Sequence, residues 1–184
     1  MSISTRKGDD GRTRLYSGQE VSKDHIRPSA CGDLDEAVSA LGLARALCRS
    51  ERVRETLRST QRRCFAVGAE LATVGEALQK LPDRLGPSDL AVLDRLVADL
   101  EAKVDLPPVF VVPGGTQASA AMDLARSIVR RVERGAVAIR DGTPEGLQNQ
   151  TVLPWLNRLS DVLFLLARLE EQEQGVGYDR LKES

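Results

Sequence analysis

Apolar residues recur at spacings of three and four through most of this chain, and this periodicity constrains the fold more than any other feature. Such spacing places the apolar side chains on one face of an α-helix. Aromatic residues make up only 3% of the chain, which disfavours a β-sandwich or barrel, whose strands are usually rich in them. The sequence therefore predicts an all-α, single-domain protein. Its five helices cover about residues 33–48, 52–78, 89–103, 116–139 and 153–174.

The ends of the predicted helices carry capping and breaking signals. Asp33, with Glu36 three residues later, predicts the N-cap of the first helix, and Ser88 or Asp89 predicts that of the third. Between the third and fourth helices, the three prolines of DLPPVFVVPGG predict a rigid extended connector that carries Phe110. Outside the bundle of residues 31–174, we expect a polar N-terminal arm (1–30) and a loose tail (175–184).

Composition excludes several classes of protein. Lysine and arginine total 26 against 27 acidic residues, a net charge of −1, so no general affinity for nucleic acid or membrane surfaces is expected. No apolar run has the length of a membrane span or signal peptide, which predicts a soluble cytoplasmic protein. Cys31, Cys48 and Cys64 lack CxxC spacing and are predicted to be reduced core thiols. His25 has no nearby His or Cys and is predicted to be a surface residue.

The decapeptide TRKGDDGRTR, residues 5–14, allows two interpretations. Two glycines can expose successive backbone N–H groups beside four cationic side chains, a combination that suits phosphate. The same residues also suit an ordinary polar turn near a chain end. The chain contains neither GxxxxGK[ST] nor GxGxxG, so a nucleotide site here would be neither a P-loop nor a Rossmann turn.

The fourth and fifth predicted helices each carry a polar face beside the apolar stripe. Arg126, Arg130 and Glu133 fall within about 60° of one another, so we expect an anion opposite them, with Glu133 answering Arg130. A solvated face with ordinary surface ion pairs is the alternative. The polar face of the fifth helix predicts either a contact with a ligand or neighbouring subunit, or an interhelical hydrogen-bond network. Its members are Asn157, Ser160, Asp161, Phe164 and Arg168.

Five blocks in fixed order carry a resemblance to a known family. They are TRKGDDGRT, VSKD, GDLDE, FVVPGGTQASAAMDLARSIVRRVER and WLNRLSDVLFLLARLEE, within residues 3–172. Together they resemble the ATP:corrinoid adenosyltransferases of the propanediol-utilisation type. The resemblance implies a ferritin-like five-helix bundle that forms a homotrimer with active sites between subunits. It also implies transfer of the 5′-deoxyadenosyl group of ATP to cob(I)alamin, with release of triphosphate.

Carried over residue by residue, the resemblance assigns roles to both polar regions. Phe110 would press on the lower face of the corrin, and Asp35 would form a salt bridge with Arg126 of a neighbouring subunit. Lys23 and Arg130 would be the catalytic cations that stabilise the leaving triphosphate, with Mg²⁺ held by the ATP phosphates. The ATP contacts would be Thr5, Arg6, Lys7, Gly8, Thr13, Arg14, Lys23, Arg130, Arg131, Glu133, Arg134 and Asn157.

The resemblance also implies partners, and it has local departures. A corrinoid reductase and an adenosylcobalamin-dependent mutase or dehydratase are expected around such an enzyme. Non-catalytic alternatives are an ATP sensor, a carrier that delivers adenosylcobalamin, or a plain structural bundle. Cys31, Val38 and Asp123 stand where the family usually has an aromatic residue, asparagine or serine, and histidine, so these positions are expected to affect the corrin pocket or subunit contacts.

Overall fold

In the part of the chain that the structure describes, five α-helices form a bundle, as the apolar stripes predict. The computed structural model describes residues 4, 6, 8–106 and 109–179. The helices are α1 (Ile26–Leu47), α2 (Glu51–Leu71), α3 (Pro87–Glu101), α4 (Gln117–Gly142) and α5 (Val152–Glu173). A 3₁₀ helix, Gly75–Lys80, lies between α2 and α3. The predicted all-α bundle with a polar N-terminal arm is confirmed.

The core is centred on α4, which packs against both α1 and α5. α1 packs against α2 and α4, and α5 packs against α4 and α3. Leu41, Val129 and Trp155 are representative core residues, each at most 1% exposed. Burying a large apolar side chain contributes about 1.5–3 kcal/mol relative to exposing it. These helices therefore provide a stable frame from which polar side chains project.

The predicted start of α1 is wrong. The helix begins at Ile26, and Asp33 lies inside it rather than capping it. His25 is the N-cap, and its Nδ1 accepts from the Arg27 N–H at 3.3 Å. Pro28 is tolerated because backbone N–H groups in a first helical turn have no intrahelical partner. His25 is thus a half-buried capping residue rather than the free surface residue predicted from its isolation.

The predicted boundaries between α2 and α3 also need correction. α2 ends at Leu71 instead of continuing to residue 78. Gly75 follows with a φ of +62°, a left-handed conformation that breaks the helical path and is costly for residues with a Cβ. Gly86, not Ser88 or Asp89, is the N-cap of α3. Asp89 still serves the helix start, because its Oδ2 accepts from the Gly86 N–H at 2.8 Å.

The N-terminal arm contains a short hairpin that the sequence pattern did not predict. Strand β1 (Arg12–Arg14) pairs antiparallel with β2 (Glu20–Ser22), and Thr13 faces Val21 in the register. Leu15, at the base of the hairpin, is 6% exposed. The hairpin therefore has an apolar anchor on the bundle, although each strand is only three residues long.

The three cysteines are free thiols, as predicted. Cys48 and Cys64 are buried, whereas Cys31 is half-buried. Burial raises the pKa of Cys31 to about 11, with a further increase from the nearby Asp35 carboxylate. Burial likewise raises the pKa of Cys48 and of Cys64 to about 12. All three thiols are therefore protonated near neutral pH and are weak nucleophiles.

Candidate functional site

The arm forms an open groove around its hairpin. Its volume is about 640 Å³. Three cationic side chains and two carboxylates are among its described lining residues. The described residues that line it are Gly8, Asp10, Arg12, Thr13, Arg14, Glu20 and Lys23. The structure thus brings together four of the residues assigned to ATP, namely Gly8, Thr13, Arg14 and Lys23, while the assigned Thr5 and Lys7 lie outside the described residues.

Lys23 is held against the glycine turn of the arm. Its Nζ donates to Gly8 O at 2.5 Å, and its backbone N–H donates to Gly11 O at 2.9 Å. A Cβ at Gly8 would lie 3.0 Å from Lys23 Cε and Nζ and 3.1 Å from Arg12 O. Gly11 has a φ of +82°. The two glycines are therefore needed for different reasons, a close approach at Gly8 and a left-handed turn at Gly11.

The arginines of the hairpin share one carboxylate. Glu20 accepts from Arg12 Nε at 2.6 Å and lies 3.8 Å from Arg14 Nη2. All three side chains are about half exposed or more, so these pairs contribute little to stability. Arg6 is exposed and has a φ of +56°. An incoming polyanion could therefore displace Glu20 at small cost and gain two guanidinium groups in the same groove.

The charged face of α4 is divided between two different surroundings. Arg131 Nε donates to Asp33 Oδ1 at 2.9 Å, and Arg131 Nη2 donates to Glu36, so this side chain is tied to α1. Arg130 is exposed, and its side chain has no ion-pair partner among the residues the structure describes. Its backbone carbonyl accepts from Arg134 Nη1 at 3.1 Å. Arg130 is thus an available cation of this face, as is the exposed Arg134, which has no ion pair among the described residues.

Glu133 and Asn157 connect α4 to α5. Asn157 Nδ2 donates to Glu133 Oε1 at 3.2 Å. The expected Glu133–Arg130 pair is absent from the described ion pairs. Glu133 instead accepts a hydrogen bond from Asn157. These two residues do not line the arm groove among its described residues. Within one protomer, the arm groove and these polar residues of α4 and α5 therefore have no described lining residue in common.

The polar face of α5 also separates into two parts. Asn157 is exposed, whereas Arg168 is fully buried, and its Nη2 donates to Asp123 Oδ2 at 2.7 Å and to Glu171 Oε1 at 2.9 Å. The Phe164 ring is close to two guanidinium groups, with its centre 5.2 Å from Arg168 Cζ and 5.6 Å from Arg126 Cζ. The interhelical-network interpretation therefore holds at Arg168.

The residues assigned to the corrin and to subunit contact differ in their exposure to solvent. Phe110 is 84% exposed. Gly115, at the end of its connector, packs so closely on Glu171 that a Cβ would lie 2.7 Å from Oε1. Asp35 is exposed and Arg126 half-buried, and the described protomer contains no ion pair between them. Their assigned salt bridge would therefore need a second subunit.

Two further observations bound the chemistry of this surface. Within residues 8–106 and 109–179, no group of three His, Cys, Asp or Glu side chains is arranged to hold a metal ion. Over the same part of the chain, no helix is both long and apolar enough to cross a bilayer. The arm groove itself presents the cationic side chains of Arg12, Arg14 and Lys23 to an anionic ligand.

Sequence reasoning missed two buried groups beneath these surfaces. Arg27 is 1% exposed and donates to backbone carbonyls of distant segments. Glu70 is 2% exposed and accepts from Leu85 N–H at 2.8 Å and from Asn149 Nδ2 at 2.9 Å. For either residue, the sequence signal of burial would have been a charged residue at a helical position that the apolar spacing assigns to the core.

Comparison with known proteins gives matches over nearly the whole chain. The family model described as "Cobalamin adenosyltransferase" matches residues 3–170. A corrinoid adenosyltransferase of Citrobacter freundii is 39% identical over 92% of this chain and 94% of its own length. One of Mycobacterium tuberculosis H37Rv is 41% identical over 95% of this chain and 91% of its own.

Solved structures give the same result. A point variant of a PduO-type ATP:corrinoid adenosyltransferase from Lactobacillus reuteri, complexed with cobalamin and ATP, has a TM-score of 0.91 and 29% identity. The alignment covers 99% of this chain and 100% of that chain. Another variant of the Lactobacillus reuteri enzyme, complexed with ATP, has a TM-score of 0.88 and 28% identity. The resemblance carried by the five sequence blocks is thereby confirmed, and the chain belongs to the cobalamin adenosyltransferase family.

Proposed function

We propose that this protein transfers the 5′-deoxyadenosyl group of ATP to cob(I)alamin, giving adenosylcobalamin and triphosphate. The observation that carries the proposal is the cationic arm groove in which Lys23 Nζ is held over the glycine turn, 2.5 Å from Gly8 O. Such a groove suits the triphosphate end of a nucleotide, and relatives that share the fold are complexed with ATP and cobalamin. Membership of a transferase family supports catalysis over a purely structural bundle.

The reaction needs little acid–base chemistry from the protein. The cobalt(I) substrate attacks C5′ of ATP, a cobalt–carbon bond forms, and the C5′–O5′ bond breaks with its electron pair leaving on triphosphate. The three thiols, protonated near neutral pH, are not required as nucleophiles. Lys23 and Arg130 would stabilise the charge that builds on the leaving group. Mg²⁺ would be held by the ATP phosphates.

We further propose that the complete site forms between subunits of a homotrimer. The arm groove and the Arg130 surface have no described lining residue in common within one protomer, and neither Lys23 nor Arg130 has a carboxylate partner among the described ion pairs. Placing the arm of one subunit against α4 and α5 of the next would unite them. Arg131, Glu133, Arg134 and Asn157 would then flank the nucleotide, and Phe110 would face the corrin.

The proposed reaction also defines the partners of the enzyme. Cob(I)alamin must be supplied by a corrinoid reductase, and adenosylcobalamin would be consumed by a dependent mutase or dehydratase. A reducing compartment such as the cytoplasm fits this chemistry and the three free thiols.

One spectroscopic experiment tests the function directly. The purified protein is mixed anaerobically with chemically reduced cobalamin and ATP, and the absorbance change of adenosylcobalamin formation is followed. We expect multiple turnovers with stoichiometric release of triphosphate. An ATP sensor would show an ATP-dependent thermal shift without turnover, a delivery protein would bind adenosylcobalamin without forming it, and either result would refute the enzyme proposal.

Replacement of Asp35 tests the subunit arrangement. Asp35→Asn is expected to raise KM for the corrinoid at least about tenfold or to weaken the trimer, because Arg126 would lose its cross-subunit carboxylate. Asp141→Asn is the matched control, since Asp141 pairs with the adjacent Arg140 on the surface. Kinetics and size-exclusion chromatography provide the readouts. Unchanged corrinoid kinetics and assembly in Asp35→Asn would remove this pair from the proposal.

A further inference from the structure

Arg27 is a buried cation whose described side-chain hydrogen bonds all go to backbone carbonyls. It is the second residue of α1, and its side chain donates to Leu71 O at 2.8 Å, Thr73 O at 3.5 Å and Gly146 O at 2.7 Å. Burial lowers its pKa from the usual arginine value, while Glu145 acts in the opposite direction. Arg27 has no partner among the described ion pairs. The three carbonyl oxygens therefore compensate for the loss of water around its buried charge.

A neighbouring carbonyl anchors the N-terminal arm. Ala72 O, which lies between Leu71 O and Thr73 O in the chain, accepts from the Tyr16 backbone N–H at 2.8 Å. The last carbonyls of an α-helix lack intrahelical donors, and the partial negative charge there favours a cation. The C-terminal end of α2 is therefore completed by one donor from the hairpin and one side chain from α1.

This arrangement fixes both ends of the segment that carries Lys23. Tyr16 holds the segment at one end and Arg27 at the other, both on consecutive carbonyls of α2. Between them, His25 N–H donates to Ser22 O at 3.1 Å, and His25 Nδ1 accepts from the Arg27 N–H. Lys23 lies inside this short span, so the position of its Nζ depends on where α1 begins.

Arg27 also fastens the loop before α5. Gly146 has a φ of +59°, and a Cβ there would lie 3.3 Å from Arg140 O, so the turn that presents Gly146 O to Arg27 favours glycine. In the same loop, Asn149 donates to the buried Glu70 at 2.9 Å. Arg27 thus joins the ends of α2 and α4 to the start of α1, without lining the arm groove among its described residues.

We propose that Arg27 is a positioning residue for the phosphate-binding arm. By holding the start of α1 on the end of α2, it sets Lys23 and the glycine turn in the geometry that receives a polyphosphate. This inference rests on the proposed function, and it assigns Arg27 no contact with ATP. A residue with only a general structural role would instead weaken ATP use, corrinoid use and folding together.

The test measures binding of inorganic tripolyphosphate by calorimetry, together with KM for ATP and for the corrinoid. In Arg27→Met we expect the Kd for tripolyphosphate and the KM for ATP to rise about tenfold or more, because the arm loses a charge-assisted anchor. The corrinoid KM and the helix content should stay close to the wild-type values. Arg27→Lys keeps the positive charge and can still donate to one of the carbonyls, so its affinity for tripolyphosphate should lie between those of Arg27→Met and the wild type.

A matched control is available in Arg63. This half-buried arginine of α2 donates to Asp83 at 2.7 Å, to Asp89 at 3.2 Å and to the Arg84 carbonyl at 3.0 Å, and it is not among the described residues that line the arm groove. Arg63→Gln should reduce stability without changing tripolyphosphate affinity. Wild-type affinity in folded Arg27→Met, or an equal rise in the corrinoid KM, would overturn the inference.

Two outcomes separate this inference from the proposed function. Failure of the wild-type protein to bind tripolyphosphate would overturn the proposed function and this inference with it. Tight wild-type binding with an unaffected arginine variant would overturn the inference alone. If Arg27→Met does not fold, Arg27→Lys decides: a selective rise in tripolyphosphate Kd supports the positioning role, and unchanged affinity contradicts it.

Discussion

Replacing Arg130 by alanine is expected to lower the rate of adenosyl transfer by about 10²–10³-fold, by analogy with the loss of one aligned donor to a developing anion. Arg130 is exposed and has no ion-pair partner among the described residues, which agrees with its proposed role in stabilising the leaving triphosphate. Its neighbour Arg131 differs, because Asp33 and Glu36 already hold that guanidinium. Loss of Arg130 should therefore affect catalysis more than folding.

The measurement is kcat and KM from the absorbance of adenosylcobalamin, with assembly followed by size-exclusion chromatography. Arg130→Lys should retain part of the activity, since it keeps the charge but loses the planar fork that contacts two phosphate oxygens. Arg95→Ala, at an exposed arginine of α3, is the control for loss of a surface charge. Wild-type kcat in Arg130→Ala would remove this residue from the proposed catalytic machinery.

The helices were predictable because burial imposes a regular spacing on the sequence. The stripes of α4 and α5 identify core residues such as Val129 and Trp155, which are fully or almost fully buried. The ends were less predictable, since they depend on distant contacts. At the start of α1, His25 caps the helix and Arg27 finds carbonyl partners up to 119 residues away. An Asp–Glu capping pattern at Asp33 was the stronger local signal, and tertiary structure overrode it.

The candidate site was predictable where its chemistry depends on the types of its side chains, since these can be read from the sequence. The glycines and cations of the arm indicate phosphate, and the structure places Gly8 and Lys23 together. The hairpin itself was not predictable, because three-residue strands carry too little alternation to identify. Carbonyl oxygens have no sequence signature at all, which is why Arg27 was missed. The assigned cross-subunit contacts of Asp35 and Arg126 also require more than one chain to test.

The buried group of Asp123, Arg168 and Glu171 gives the prediction with the largest effect on stability. Arg168→Met is expected to lower the free energy of unfolding at neutral pH by about 3–5 kcal/mol, the usual cost of leaving a buried charge without its partner. All three residues are at most 7% exposed. Asp123→Asn should cost less, about 1 kcal/mol, because an amide oxygen can still accept from Arg168. Urea unfolding at fixed protein concentration measures both changes.

The pH dependence identifies the cause of that loss. Burial raises the pKa of Asp123, with Arg168 opposing the rise and Glu171 adding to it. A carboxyl whose pKa is higher in the folded state binds more protons when folded, so its contribution to stability falls as pH rises above the unfolded value of about 3.9. Removing Arg168 would raise the pKa of folded Asp123 further. Protonation of Asp123 would then change the stability over a pH range that extends to higher pH. The deficit of Arg168→Met should therefore shrink as the pH is lowered from neutral towards 5.

Combining the two substitutions separates lost charge compensation from lost packing. Asn at position 123 cannot take up the proton, so Arg168→Met combined with Asp123→Asn should recover less stability on acidification than Arg168→Met alone. If packing of the long Arg168 stem against Phe164 accounted for the whole effect, the deficit would be the same at every pH and in both backgrounds. A pH-independent loss would thus contradict the electrostatic explanation, and the recovery expected here would show that Arg168 serves chiefly to compensate buried carboxylates at the base of the Phe164–Arg126 stack.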